Sequence, residues 1–221
     1  PDGAGMAETG FLVVLSGPSG AGKNTIADMA VEQWNNAVKQ VMTYTTRPAR
    51  ANEVQEVDYH FVGMETFNKM KKEGFFLESA FVHGYYYGSP KAEILRRIAG
   101  GEVVLLVLDI QGGLAVKKEY PETVLVFVMP TRFTDLRARI SQRGVAGNDY
   151  ELRMKNARTE IQAAKRYDYL VINDDLDTAV SDFKAIVQAE RCRAYRREAL
   201  IEVEPSLRKS PGRKTTKVRT R

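Results

Sequence analysis

Four residues with the spacing of an anion cradle, Gly17, Gly20, Gly22 and Lys23, stand in the run Leu15-Ser16-Gly17-Pro18-Ser19-Gly20-Ala21-Gly22-Lys23. Glycines so placed let the backbone wrap closely around phosphate, with amide N–H groups turned inward and a lysine ammonium reaching the β- and γ-phosphates of a nucleotide. The predicted triphosphate-binding residues, pointing to ATP, are therefore Gly17, Pro18, Ser19, Gly20, Ala21, Gly22, Lys23, Asn24 and Thr25. Asn24 occupies the place where a Ser or Thr hydroxyl usually meets Mg²⁺, and Thr25 follows it, so the motif leaves the metal ligand unassigned.

A second set of residues suits a second anion. Thr43-Tyr44-Thr45-Thr46-Arg47-Pro48-Ala49-Arg50 puts two guanidiniums three positions apart among hydroxyls, a set able to hold a phosphate dianion bidentately. Asp58-Tyr59-His60-Phe61, Phe76-Leu77-Glu78 and Tyr85-Tyr86-Tyr87-Gly88-Ser89 follow. Each has an ordinary reading when taken singly. Arg47 and Arg50 read as a surface pair, Tyr85 to Tyr87 as an aromatic edge strand, and Glu78 as a solvated carboxylate. His60 and His83 lack partners in the sequence and read as structural. Arg137, Arg139 and Arg143 crowd a helix-like segment ending at Gly144, where Arg137 and Arg139 alone read as its wet face.

The elements that must carry these residues are strongly patterned. Phe11 to Leu15 is continuously apolar, as a strand buried on both faces of a parallel sheet must be. Ile26, Met29, Ala30, Val31 and Trp34 then recur at helical spacing, so the positive end of a helix dipole faces the cradle. Further apolar runs at Val103 to Leu108, Val124 to Val128 and Tyr169 to Ile172 alternate with helix-like segments, and Val38 to Met42 supplies another strand. This alternation predicts a parallel α/β sheet. Two intervals, Thr43 to Ser89 and Thr131 to Lys155, break the rhythm and read as lobes hung on the sheet.

With 221 residues, 43% of them hydrophobic and 28% charged, the chain is long enough for one sizeable core. Its single cysteine, Cys192, excludes an intramolecular disulfide and reads as a helix-packing residue. No window is long and apolar enough for a membrane span, and a cytoplasmic location is expected, or an organelle if a presequence has been removed. Residues 205–221 carry seven basic side chains and no acidic one, which turns the net charge of +5 into −2 for the remainder. That tail reads as solvated and disordered rather than as a nucleic-acid or acidic-partner contact.

Taken in order, the phosphate loop, Thr45-Thr46-Arg47 with Arg50, Val57-Asp58-Tyr59-His60-Phe61, Phe76-Leu77-Glu78, Tyr86-Tyr87-Gly88-Ser89 and Asp109-Ile110-Gln111-Gly112 resemble the guanylate kinase family, from about Gly10 to Arg191. The resemblance implies a three-layer α/β/α P-loop fold with a parallel central sheet, a small mixed α+β GMP-binding lobe and a helical lid. It divides the chain into a core (10–42, 102–130 and 156–200), a GMP lobe (43–101), a lid (131–155) and a basic tail (201–221). It also implies ATP-dependent phosphorylation of GMP and dGMP, with Mg²⁺ accompanying ATP.

In that family the residues matching Arg47, Arg50, Tyr59 and Tyr87 hold the GMP phosphate, while those matching Thr43, Glu78, Ser89 and Asp109 read guanine. Arg143 and Arg153 match lid arginines that join Lys23 and Arg47 in catalysis, and Asn173 matches a residue near adenine. The chemistry agrees at Glu78, since an acceptor-only carboxylate takes both the N1–H and N2–H₂ donors of guanine but faces a lone pair on adenine. Three departures are visible. Val107 replaces an acid two residues before Asp109, Pro48 sits early between the two arginines, and Val145 to Asp149 is a residue short and lacks much of the usual acidic run. Interaction modules resembling this family typically lose the loop lysine or GMP residues. Here Lys23, Arg47, Arg50, Tyr59, Glu78 and Tyr87 all remain, favouring an enzyme. Glu78 with Asp109 argues against a related kinase for a ribose phosphate.

Overall fold

The computed structural model describes residues 9–34, 38–50, 53–82, 84–142 and 157–200. Five strands form the large sheet: β1 (Phe11–Ser16), β2 (Val38–Gln40), β7 (Val103–Val107), β8 (Val124–Met129) and β9 (Tyr169–Ile172). They lie in the order β2-β7-β1-β8-β9, and every pairing is parallel. The alternation of apolar runs and helices thus produces the expected parallel α/β architecture.

Strand β1 shows why a continuous apolar run is required. Phe11, Val13 and Leu15 point to one face, where they pack with Ile26, Ala27 and Ala30 of α1 (Lys23–Gln33) and Ala179, Val180, Phe183 and Val187 of α6 (Leu176–Arg191). Leu12 and Val14 point to the other, against Ile94 and Ile98 of α3 (Lys91–Ala99) and Val116 of α4 (Ile110–Glu119). All five side chains of this run are essentially inaccessible. Successive residues of a strand face opposite ways, so a strand covered on both faces must be apolar throughout.

The interval after β2 builds a separate sheet of four short strands, β4-β3-β6-β5, from β3 (Tyr44–Thr45), β4 (His60–Phe61), β5 (Phe76–Val82) and β6 (Tyr85–Pro90). Strands β3 and β4 run parallel, while β3–β6 and β5–β6 are antiparallel. Helix α2 (Met64–Lys72) covers this sheet with Phe67, which stacks on Phe76 and Tyr86 at ring separations of 4.6 and 5.5 Å. Tyr85 to Tyr87 therefore lie on an inner strand, and the edge-strand reading does not hold. His60 stacks on Tyr44 with centroids 4.4 Å apart, a packing role. His83 lies outside the described residues.

Leu77 of β5 packs into the cluster formed by Leu12, Val14 and Leu106, tying the small sheet to the large one. That attachment brings Glu78 beside the carboxyl ends of β1 and β7. After β8, α5 (Phe133–Gln142) begins the arginine-rich interval. Cys192 is exposed at the C-cap of α6, where the polypeptide has already left the core, so its expected packing role is corrected. Residues 194–200 form a 3₁₀ segment returning beneath the sheet, and Arg196 stacks over the Phe11 ring at 4.2 Å. No helix among the described residues is long and apolar enough to cross a membrane.

Candidate active site

The loop after β1 closes around three glycines with positive φ: Gly17 (150°), Gly20 (85°) and Gly22 (91°). Gly17 lies against the backbone of β8, where a Cβ would stand 2.0 Å from the Val128 carbonyl oxygen. Gly22 is the N-cap of α1, with no side-chain cap, so the first-turn N–H groups of this helix are left for an anion. By contrast, α4 and α6 are capped by Asp109, which accepts from the Gly112 N–H, and by Asp175, which accepts from the Thr178 N–H, each at 2.9 Å. The Lys23 ammonium donates to the Gly17 and Pro18 carbonyls at 2.7 and 3.0 Å, which holds it over the loop.

Asn173, expected near adenine, is buried against this loop. Its Nδ2 donates to the Ala21 carbonyl at 2.7 Å and would lie 2.2 Å from a Cβ on Gly22. The Asn173 carbonyl in turn accepts from Arg139 Nη2 at 2.8 Å, so Arg139 binds the neighbouring chain whereas Arg137 is exposed. Arg143 and Arg153 lie outside the described residues, as does the tail 201–221.

A cavity of about 310 Å³ joins this loop to the small sheet. Gly17, Ser19, Gly20, Gly22, Lys23, Asn24 and Thr25 line one end, and Thr43, Arg50, Tyr59, Glu78, Tyr87 and Asp109 line the other. Strand register assembles the second group. Glu78 pairs with Ser89 across β5–β6, and Tyr87 pairs with Thr45 across β3–β6. Ser89 and Arg47 stand behind the lining. Ser89 is fully buried, and its hydroxyl donates to Glu78 Oε1 at 2.7 Å, orienting the carboxylate.

Glu78 is 7% exposed, and its Oε2 has no hydrogen-bond partner among the described residues. Burial, reinforced by Asp109 and opposed by the Ser89 hydrogen bond, pushes its carboxyl up to about 7. A buried acceptor in want of donors suits a ligand edge that supplies them. Val107 lines the same cavity, leaving that part of the wall apolar.

Two acidic residues escaped the sequence reading. Glu160, on the helical residues 157–162, lines the cavity; burial raises its carboxyl, Lys23 draws it down, and Asp109 raises it again. No motif marks it. Glu53 fills the fork of Arg47 at 2.8 and 2.9 Å. Its position three residues beyond Arg50, in an arginine-rich loop, was the available signal. For Mg²⁺ the donors fit: the Asn24 amide, the Thr25 hydroxyl and the Glu160 carboxylate line one cavity and offer the hard oxygen donors such an ion takes.

A parallel sheet with a glycine loop at its carboxyl end and a second anion-binding wall opposite defines a P-loop phosphotransferase. The family model described as guanylate kinase matches residues 10–190. A guanylate kinase of Caldanaerobacter subterraneus subsp. tengcongensis is 43% identical over 192 residues, covering 86% of this chain and 93% of its own. One from Carboxydothermus hydrogenoformans is 42% identical over 188 residues, covering 85% and 92%. The crystal structure of guanylate kinase from Anaplasma phagocytophilum superposes with a TM-score of 0.74 at 30% identity, covering 88% of this chain and 96% of that one. The chain belongs to the guanylate kinase family.

Proposed function

We propose that this enzyme transfers the γ-phosphoryl group of ATP to GMP, and to dGMP, with the two nucleotides held at opposite ends of the one cavity. The observation that carries the base assignment is the buried, unpartnered Oε2 of Glu78 beside a phosphate loop. Guanine offers two adjacent donors to that carboxylate, and adenine does not. Ser89 fixes the Glu78 carboxylate, while Thr43 and Asp109 complete the guanine wall.

A GMP phosphate oxygen attacks the γ-phosphorus of ATP, the bond to the β–γ bridging oxygen breaks, and ADP leaves. No protein base is needed, because the second pKa of a phosphate monoester is about 6 and the nucleophile is mostly a dianion at neutral pH. The protein's task is to hold two repelling anions in line. Lys23 exchanges its loop carbonyls for the β- and γ-phosphate oxygens. Arg50, Tyr59 and Tyr87 face the acceptor phosphate. Mg²⁺ brought with ATP would supply charge neutralisation at the transferring phosphates, and Asn24, Thr25 and Glu160 are the residues here that would hold its waters. From the family resemblance, 43–101 acts as the acceptor lobe and 131–155 as the lid, whose Arg143 and Arg153 meet the γ-phosphate.

A coupled assay of ATP consumption with GMP, dGMP, AMP, CMP and a ribose phosphate tests this reading. Turnover confined to GMP and dGMP is expected. Equal turnover with AMP would remove Glu78 as the base reader, and no turnover at all would make the chain an inactive relative.

A further inference from the structure

The phosphate end of the cavity attracts anions through Lys23 and through the uncapped first turn of α1, yet an acid stands on its wall. Glu160 lies on the helical residues 157–162, which are docked by two contacts: Ala157 is fully buried, and the Arg158 guanidinium lies 5.4 Å from the Phe133 ring of α5. Ala157 and Glu160 are three positions apart and share a face of this turn, so the anchored side of the helix is the side that presents Glu160 to the cavity. The other acids of the lining each have a partner. Glu78 Oε1 accepts from the Ser89 hydroxyl, and Asp109 Oδ1 accepts from the Gly112 N–H at the start of α4. Glu160 is half-buried and takes part in no side-chain hydrogen bond or ion pair among the described residues. Burial raises its carboxyl, Lys23 draws it down and Asp109 raises it again, so these three groups share one field.

We propose that Glu160 sets the donor specificity of this end, admitting a triphosphate that carries a divalent cation and rejecting one that does not. The proposal deepens the reading of the phosphate loop as the ATP end and rests on it. A carboxylate at an anion site weakens the site for every bare anion, because like charges brought together in a partly desolvated cavity repel. Its presence is an advantage only where the ligand brings a cation. A divalent ion on the phosphates is then the largest local charge and reverses the sign of the interaction, and a carboxylate accepts hydrogen bonds from its waters. Lys23 and the N-terminus of α1 cannot make this distinction, since both favour phosphate with or without metal. Asn24 and Thr25 cannot make it either, since both are uncharged. Repulsion of the wrong ligand, rather than added attraction for the right one, therefore carries the selectivity. A site so built is not occupied by bare nucleotide, whose transferring phosphate would lack the neutralisation that the reaction needs.

Calorimetric titration of the full chain with ATP, in the absence of GMP and at about pH 8, well above the ordinary carboxylate range, tests the assignment. Each titration is run once with excess Mg²⁺ and once with a chelator, in wild type, Glu160→Gln, Glu160→Ala and Glu160→Asp. Wild type should bind the Mg²⁺ complex about 100-fold more tightly than bare ATP. Glu160→Gln and Glu160→Ala should bind bare ATP about tenfold more tightly than wild type does, and the Mg²⁺ complex no more tightly, so that the ratio falls about tenfold or more. Glu160→Asp keeps the charge and should keep most of the ratio. An unchanged ratio in the two neutral variants overturns the proposal, and so does a parallel change in both titrations, which would mean that Glu160 only supports the fold. A ratio in Glu160→Asp as low as in Glu160→Gln overturns it too, because charge would not then be the cause. Should Glu160→Gln show no thermal transition, Glu160→Ala is read by the same criteria, and loss of the transition in both would make Glu160 a folding residue and refute the assignment. If wild type binds ATP in neither titration, the reading of the loop as the ATP end fails; if it binds both forms alike, that reading stands and only the role of Glu160 falls.

Discussion

The phosphate loop is made of backbone wedged against strands with no exposed surface, whereas the opposite wall is made of side chains delivered by short strands and loops scattered from Thr43 to Asp109. In the loop, Gly17 presses on the Val128 carbonyl and Asn173 ties down Ala21, so position is set by steric contact. In the wall, position is set by polar pairs: Ser89 on Glu78, Glu53 on Arg47, and Arg47 on Tyr87. The first arrangement suits a ligand recognised by its charge and shape, a polyphosphate. The second suits one that must be told from close analogues, because an unmet hydrogen bond discriminates better than shape.

The sharpest break of this contrast is Lys23→Ala. It removes the loop's own cation, and kcat should fall by roughly 10³-fold or more while GMP affinity stays near wild type. Loss of GMP binding by calorimetry to the same degree would show that the two ends are not separable. Next comes Gly17→Ala. Its Cβ would meet backbone at 2.0 Å with φ at 150°, and we expect about 3 kcal/mol or more of lost stability by denaturant unfolding. Gly88→Ala in the small sheet meets the edge of the Phe76 ring at 2.7 Å, and a ring can tilt where a carbonyl cannot, so its cost should be smaller. Equal costs would erase the distinction between a backbone-built and a side-chain-built end.

Legibility followed the same division. The loop's spacing, the apolar strands and the helix after them follow from local physics, so β1, α1 and the parallel sheet were readable from periodicity alone. The wall was not readable that way. Glu78, Tyr59 and Tyr87 became candidates only through the order of motifs resembling a family, because no local rule says that β5 and β6 pair Glu78 with Ser89. Glu160 stayed hidden, since only tertiary folding brings residues 157–162 to the cavity. Asn173 was picked out, but its hold on the Ala21 carbonyl depends on a contact between residues 152 positions apart.

Glu78→Gln sharpens the comparison by trading function against stability. Its carboxyl stands at about 7 against an ordinary 4.5, so the folded state binds the proton more tightly than the unfolded one. Stability is therefore greatest below about pH 4.5 as far as this group is concerned, and declines as pH rises towards 7. Above pH 7, Glu78→Gln should gain as much as about 3 kcal/mol while kcat/KM for GMP falls roughly 10³-fold. In wild type, guanosine affinity should level off near pH 8, below the range where guanine N1–H itself ionises, and weaken about tenfold for each unit below 7, because guanine needs the ionised carboxylate. Guanosine is the right probe, since it carries no phosphate to titrate. A flat profile from pH 5 to 8 would show that Glu78 is ionised throughout.

The smallest effect expected lies in the loop that carries Glu53 and Tyr59. Glu56 has φ of 63°, the one non-glycine residue with positive φ among those described, and its side chain is exposed. A left-handed conformation costs an L-residue roughly 1–2 kcal/mol, of which glycine's greater unfolded-state entropy cancels about half. Glu56→Gly should thus raise stability by about 0.5–1 kcal/mol, a shift of roughly 1–4 °C in Tm for a chain of this size. The turn around it is held by its own bonds, from the Val54 N–H to the Asp58 carboxylate at 2.8 Å and from the Glu56 N–H to the Tyr59 carbonyl at 3.0 Å. Those bonds do not use the Glu56 side chain, so GMP affinity should hold while Tm rises. A lower Tm would show that the Glu56 side chain supports the loop, and that in this wall even the backbone turns depend on side chains.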